Sequence, residues 1–289
     1  MPDVAVVTDS TSYLPPELIE RHRIHVVPLY VVFGADRTVP EVEITDYNAF
    51  FEELRQAETL PSTSQPSVGD FTAVFEPLLA EGKQVVSVHI SGGLSGTPEA
   101  ARQAKEALER GGKGGERIEV VDSATAAGGL GFMVLAAANA AEGGAAAKDV
   151  AAHVARARSE LKLWFVIDTL EFLRRGGRIG AASAWIGSTL KVKPILTVEN
   201  EMTPVERVRT SGRAFERMVD YARQRKDSGA DAWSAQHINA PDACRQLIER
   251  CSEVYGCPPT IVSEIGPVLS AHTGPGLLGM GGLPAHYVQ

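Results

Sequence analysis

Cysteine is scarce in this 289-residue chain: Cys244, Cys251 and Cys257 are the only three, all in the last quarter. An odd count without paired close spacing excludes a disulfide framework and a cysteine zinc site, and fits reduced thiols in a cytoplasmic protein. Basic residues are also short, 28 Lys and Arg against 36 Asp and Glu, for a formal charge of -8. Phosphate contacts need the opposite balance, so a nucleic-acid partner is not expected. No basic region followed by a long apolar core opens the chain, and no secretory signal is expected. The longest uncharged stretch, residues 124–141, carries only Leu130, Phe132, Met133, Val134 and Leu135 as bulky apolar side chains among alanines and glycines. That composition reads as a buried helix rather than a membrane span. A Gly-x-x-x-x-Gly-Lys-Ser/Thr run is missing too, which removes the usual phosphate cradle of a nucleotide enzyme. Neither a metal site nor a cofactor is expected.

What is present is a core-forming composition, 44% hydrophobic with 22% charged residues, in a length suited to one large or two modest domains. Apolar strand patterns alternate with helical ones. In the first half, strands are expected at residues 4–8, 25–33, 84–90 and 118–121. Helices are expected at 15–21, 46–56 with Thr45 as cap, 68–80 with a Ser67/Asp70 capping box, 98–109 with Thr97 as cap, and 148–160. Such alternation predicts a parallel sheet flanked by helices. The second half reads as an α+β lobe, with strands at 162–167, 194–198, 203–208, 230–235 and 260–264 and helices at 170–174, 182–190, 213–225 and 242–254. Residues 267–269 look strand-like, and the Gly- and Pro-rich 280–284 stands where a last strand would be expected. The fold class is therefore α/β with two lobes, residues 1–158 and 159–289, and the polar loop 61–67, whose prolines forbid regular structure, reaching the cleft between them.

Four segments can carry chemistry. Ser91-Gly92-Gly93-Leu94-Ser95-Gly96-Thr97-Pro98 joins a buried strand to a helix. Its glycines admit a close backbone approach, the helix N-terminus favours an anion, and the Ser91 and Ser95 hydroxyls can bind a carboxylate. Thr63-Ser64-Gln65-Pro66-Ser67 is dense in hydroxyls and held by proline. In Arg174-Arg175-Gly176-Gly177-Arg178, the first two arginines suit a helix C-terminus, whereas Arg178 lies beyond the glycines and is free to meet an anion. In Ala271-His272-Thr273-Gly274-Pro275-Gly276, a tight turn predicts an accessible histidine.

With the opening Val6-Val7-Thr8-Asp9-Ser10-Thr11-Ser12, the segments Thr63-Ser64-Gln65-Pro66, Leu94-Ser95-Gly96-Thr97, Arg175-Gly176-Gly177-Arg178-Ile179 and His272-Thr273-Gly274-Pro275-Gly276 resemble, in order, the signatures of the DegV family. Lys193-Pro194-Ile195-Leu196 and Val208-Arg209-Thr210 fit as well. The resemblance implies a two-lobed DegV-like fold that buries one long-chain fatty acid, such as palmitate, stearate or oleate. Its carboxylate would be held by Thr63, Ser95, Ser64, Ser91, His272 and Arg178. It further implies a carrier without catalysis of its own, like the FakB subunits of bacterial fatty acid kinase, whose bound acid a separate ATP-dependent kinase phosphorylates for phospholipid synthesis. Arg207 and Arg209 would face that kinase, and transient contact with a membrane surface fits the same role. One departure is Gly92, where many relatives carry a second serine.

Burying a long acyl chain at roughly 0.8 kcal/mol per methylene supplies the affinity, leaving the polar residues only the task of orientation. The alternative is a Ser/His hydrolase of acyl esters, since Ser95, Asp168 and His272 follow the Ser…Asp…His chain order of α/β-hydrolases. Gly-Leu-Ser-Gly-Thr around Ser95 lacks the last glycine of the nucleophile elbow.

Overall fold

The computed structural model describes residues 3–57, 59–186 and 192–289. Four short, valine-rich strands build a parallel sheet in the order β2 (His25–Val27), β1 (Val4–Asp9), β6 (Gln84–His89), β7 (Ile118–Asp122). Alternate side chains serve two faces, as the two-residue period of a strand requires. Ala5, Val7 and Val85 pack against α3 (Val68–Ala80) and α4 (Thr97–Arg110). Val6, Val86 and Val88 pack against α5 (Gly128–Glu142) and α6 (Ala147–Glu160). Every residue of α5 from Gly128 to Ala138 is buried, which explains its lack of charge: a helix enclosed on all sides needs no polar face. No helix among the described residues is long and apolar enough to cross a membrane.

The second sheet has six strands in the order β10 (Glu201–Val208), β9 (Lys193–Glu199), β8 (Lys162–Val166), β13 (Leu278–Leu283), β11 (Ala232–His237), β12 (Ile261–Glu264). It is antiparallel except where β11 runs parallel to β12. Helices α8 (Ser211–Asp227) and α9 (Pro241–Tyr255) cover the face that carries Trp233, Ala235 and Met280. The opposite face, with Leu163, Phe165, Ser234, Gln236 and Gly279 and Gly281 of β13, looks towards the N-terminus of α5.

Several expectations are corrected. The run at residues 25–33 is two strands, not one. Pro28 brings no N–H to a ladder, and the Leu29 N–H donates to Ser10 Oγ at 3.1 Å, so β3 (Tyr30–Phe33) leaves the parallel sheet. It forms a third, antiparallel sheet with β4 (Arg37–Pro40) and β5 (Ser62–Ser64). The segment read as an irregular loop at 61–67 thus contains a strand, its prolines flanking β5 instead of interrupting it. Helix α2 (Tyr47–Gln56) is capped by Asp46, whose Oδ1 accepts from Ala49 N at 2.9 Å, not by Thr45. Thr97 is the first residue of α4 instead of its cap, and its N–H donates to Ser95 Oγ at 3.3 Å. Residues 267–269 open a helix, α10 (Pro267–Thr273), which starts at its proline as helices favour. The last strand expected at 280–284 is present despite its glycines, as β13, and it is a central strand. Of the helix expected at 182–190, the part up to Trp185 is a 3-10 turn, Gly180–Trp185, which ends at Ile186, and residues 187–190 lie outside the described residues. Between Trp185 and the Glu171–Arg175 helix (α7) the chain makes a glycine turn that bears on the site.

The two sheets are tied where the β9–β10 hairpin meets the N-terminal sheet. Ser91 Oγ donates to the Asn200 carbonyl, and Asn200 N donates to Ala124 O at 3.1 Å. A Cβ on Gly93 would lie 2.4 Å from that carbonyl, so only glycine allows the approach. The Arg158 guanidinium closes the seam, donating to the carbonyls of Ser123, Ala124 and Val198.

Candidate functional site

Between the open face of the six-stranded sheet and the start of α5 lies a cavity of about 290 Å3. Its existence follows from missing side chains. Residues 279 and 281 point from β13 towards α5 and are both glycine, so a trough runs along the strand between Leu163 and Phe165 of β8 on one side and Ser234 and Gln236 of β11 on the other. A Cβ at Gly279 would lie 3.2 Å from Phe165 Cβ, and one at Gly281 only 2.7 Å from Leu163 Cβ. Ile90, Leu94, Val198, Met202, Ile265 and Val268 complete a largely apolar wall. An apolar enclosure with a few converging polar groups is the usual form of a small-molecule site.

Those polar groups gather at one end. Thr63 is held in β5 opposite Val31, and its Oγ1 lies 2.7 Å from His272 Nε2 on α10, a contact across 209 residues of chain. His272 is nearly buried, 9% exposed, so the accessible turn histidine expected from the sequence is instead a helical one turned inward. Burial, and then the nearby Arg178 guanidinium, push its imidazole down to about 4, so it is neutral at neutral pH. Nδ1 packs against Gly176, where a Cβ would come within 2.4 Å, and it has no hydrogen-bond partner among the described residues. Bare acceptors are tolerated inside proteins better than orphaned donors, which places the ring proton on Nε2, donating to Thr63 Oγ1. The Thr63 hydroxyl then keeps its own proton for a ligand.

Ser95, Ser64 and Arg178 line the same cavity. Ser95 Oγ is 2.8 Å from Thr97 Oγ1, and Ser64 Oγ donates to the Gln65 carbonyl at 3.1 Å. Arg178 arrives by a helix stop at the end of α7: Gly177 takes φ 70°, Gly177 N donates to Arg174 O, and Arg178 N donates to Leu173 O. This Schellman arrangement turns the chain back. Arg178 Nη1 then donates to Gly176 O at 2.8 Å and its Nε to Leu94 O at 3.4 Å.

Ser91 is placed elsewhere. It is fully buried, its hydroxyl is committed to Asn200, and it does not line the cavity. Gly92 is also remote from the mouth: its N–H donates to Asp122 Oδ2 at 3.0 Å, and a Cβ there would lie 2.6 Å from that oxygen. Arg207 and Arg209 are exposed, Arg207 with its guanidinium 5.2 Å from the centre of the Trp185 ring. The hydrolase arrangement is not assembled. Asp168 pairs with Lys193, His272 Nδ1 has no carboxylate, and His272 Nε2 meets Thr63 instead of Ser95. A Ser-His-Asp string does occur at Ser87, His89 and Asp9, with contacts of 2.6 and 3.0 Å, but all three are fully buried and stitch β1 to β6. Among the described residues no group of His, Cys, Asp or Glu is placed to hold a metal ion.

Sequence reading missed Glu41. It is 3% exposed, and its carboxylate accepts from Ser10 Oγ, Tyr13 OH and, at 2.7 Å, Val268 N. It thereby satisfies a free N–H at the start of α10, the helix that delivers His272. Burial outweighs those three hydrogen bonds and pushes its carboxyl up to about 7. Gly279, Gly281, Ser234 and Gln236 were missed as well, because only strand register shows that they face one space.

An α/β frame that encloses an apolar trough with a hydroxyl-lined mouth has the form of a small-molecule site. Residues 3–285 match the model of the family described as "Uncharacterised protein, DegV family COG1307", and the chain belongs to the DegV family. It is 35% identical over 283 residues to Protein DegV of Bacillus subtilis, covering 96% of this chain and 98% of that one. A DegV domain-containing protein of Streptomyces coelicolor is 39% identical over 281 residues, covering 96% and 97%. Among solved structures, a fatty-acid-binding DegV family protein from Thermus thermophilus superposes with a TM-score of 0.86 at 37% identity, over 98% of this chain and 99% of that one. DegV of Bacillus subtilis, described as a fatty acid binding protein, gives 0.86 at 34% identity, over 98% and 100%.

Proposed function

We propose that this protein carries one long-chain fatty acid, such as palmitate, stearate or oleate, with its tail in the trough over Gly279 and Gly281. Its carboxylate would accept hydrogen bonds from Thr63 and Ser95, with Ser64 and Arg178 at the rim and His272 acting through Thr63. The observation that carries the reading is the pairing of an apolar cavity with a mouth where hydroxyls converge beside one guanidinium, Arg178. The fatty-acid-binding description of relatives at 34% and 37% identity supports it. Thr63 and Ser95 are neutral donors that orient a carboxylate without neutralising it, and Arg178 spends its Nε and Nη1 on the Leu94 and Gly176 carbonyls, so the anion stays nucleophilic. That suits a carrier without catalysis of its own, whose cargo a separate ATP-dependent fatty acid kinase converts to an acyl phosphate for phospholipid synthesis. Arg207 and Arg209, exposed on and just after β10, would meet that kinase, and the mouth would make transient contact with a membrane. On this reading the lobes are residues 1–158 and 159–289, working in the cytoplasm. Mass spectrometry of the organic extract of purified protein tests the cargo: one fatty acid per chain is expected, and an extract free of fatty acids from protein that also fails to bind added stearate would overturn the reading.

A further inference from the structure

The trough is not apolar along its whole length. Ser234 and Gln236 alternate along β11 so that both face it, beside Gly281 and Gly279 in the register with β13. Gln236 is held in place, since its Oε1 accepts from Gly128 N and its Nε2 donates to Ser263 Oγ at 2.6 Å. The second Nε2–H has no partner among the described residues. Ser234 is only 4% exposed and lines the cavity, yet its hydroxyl makes no hydrogen bond among the described residues. It lies close enough to α5 that a Cβ on Gly128 would come within 3.1 Å of its oxygen.

Ser234 is set back from the mouth, with Gln236 between the two. The end of α10 that carries His272 leads within a few residues to Leu277, where β13 is about to begin. At roughly 3.4 Å per residue, Gly279 and its partner Gln236 lie about 7 Å further along the sheet, and Gly281 with Ser234 about 14 Å. A carboxylate at Thr63 and Ser95 would therefore present the middle of its tail to Ser234, not its head. A plain methylene there leaves a buried hydroxyl unpaired, a state folded proteins avoid. An oxygen on the chain would pair with Ser234 and with the spare Gln236 N–H.

Resting on the carrier reading above, we propose that Ser234 and Gln236 form a second polar station and that the trough favours long-chain acids oxygenated at mid-chain, hydroxy or keto, over saturated ones. The test uses delipidated full-length protein, stearate and hydroxystearates with the hydroxyl at mid-chain positions, and direct competition between them read by native mass spectrometry. One hydroxystearate is expected to outcompete stearate by about tenfold, the worth of one recovered buried hydrogen bond. Ser234→Ala should erase that preference while stearate binds at least as well as before, and Ser234→Thr, which keeps the hydroxyl, should retain it. Thermal melting of both variants close to the parent's establishes that they fold. A stearate-to-hydroxystearate ratio unchanged by Ser234→Ala would overturn the proposal while leaving the carrier reading intact. Failure of every acid to bind the parent protein would overturn both.

Discussion

Thr63 and His272 come from opposite ends of the chain, and each controls the other's protons. With the ring proton on Nε2, the 2.7 Å contact leaves the threonine hydroxyl with its own proton for whatever anion fills the mouth. Thr63→Val keeps the shape, removes that donor and orphans the imidazole N–H. We expect stearate affinity, measured by calorimetry, to fall by tenfold or more, with Thr63→Ser recovering most of it. Glu41 gives a second prediction, on stability. Its carboxyl rises from 4.5 to about 7 on folding, chiefly through burial. The folded protein therefore holds a proton that the unfolded chain releases between those values. Stability from this group is full below pH about 4.5 and is lost as pH rises through 7, on the order of 3 kcal/mol in all. Glu41→Gln should flatten that part of the stability curve in denaturant titrations; an unchanged slope between pH 5 and 7 would contradict the account. Thr63, Ser64, Ser95, Arg178 and His272 were legible as candidates because hydroxyls and cations stand out beside glycines and prolines. Glu41 was not, since its sequence neighbours give no sign that it is buried beneath a helix more than two hundred residues away.

Two elements shape the trough, and sequence patterns described them unequally. The alanine-rich α5 announced its burial by lacking charge. Its entry did not: Ala127 takes φ 51° and ψ -129°, a conformation that suits glycine, at a residue lining the cavity. Relief of that strain is worth about 1–3 kcal/mol against a glycine entropy cost of about 0.5–1 kcal/mol. Ala127→Gly should therefore raise the unfolding free energy by roughly 1 kcal/mol, and a loss of stability would contradict this. Strand β13 was the harder case. Met280-Gly281-Gly282 carries the composition of a loop, and strand propensity counts glycine against a strand. Here tertiary need overrides propensity, because side chains at 279 and 281 would fill the space they face. Gly279→Val should leave the protein folded, with Phe165 yielding a few tenths of an ångström. Long-chain binding should fall at least tenfold, read as loss of co-purifying lipid. β5 hid for a related reason: its ladder partner, Tyr30–Phe33, lies some thirty residues away, and flanking prolines suggested a loop.

At the scale of the molecule, the parallel sheet and its helices were legible because buried parallel strands read as apolar runs separated by amphipathic helices. The six-stranded sheet was legible strand by strand but not in order, because β13, last in sequence, inserts between β8 and β11. That insertion creates the site: it brings the glycines of the C-terminus against α5 of the first half and delivers α10, with His272, beside Thr63 of the third sheet. The apolar volume and the Thr63 side of the mouth thus belong to different sheets, brought together by the Thr63–His272 contact, while Arg158, Ser91 and Asn200 join the six-stranded sheet to the parallel one. A crystal structure of the protein with stearate tests this most directly. The account predicts carboxylate density within hydrogen-bond reach of Thr63 Oγ1 and Ser95 Oγ, with the tail running over Gly279 and Gly281. A carboxylate bound elsewhere, or a tail lying outside that trough, would contradict it.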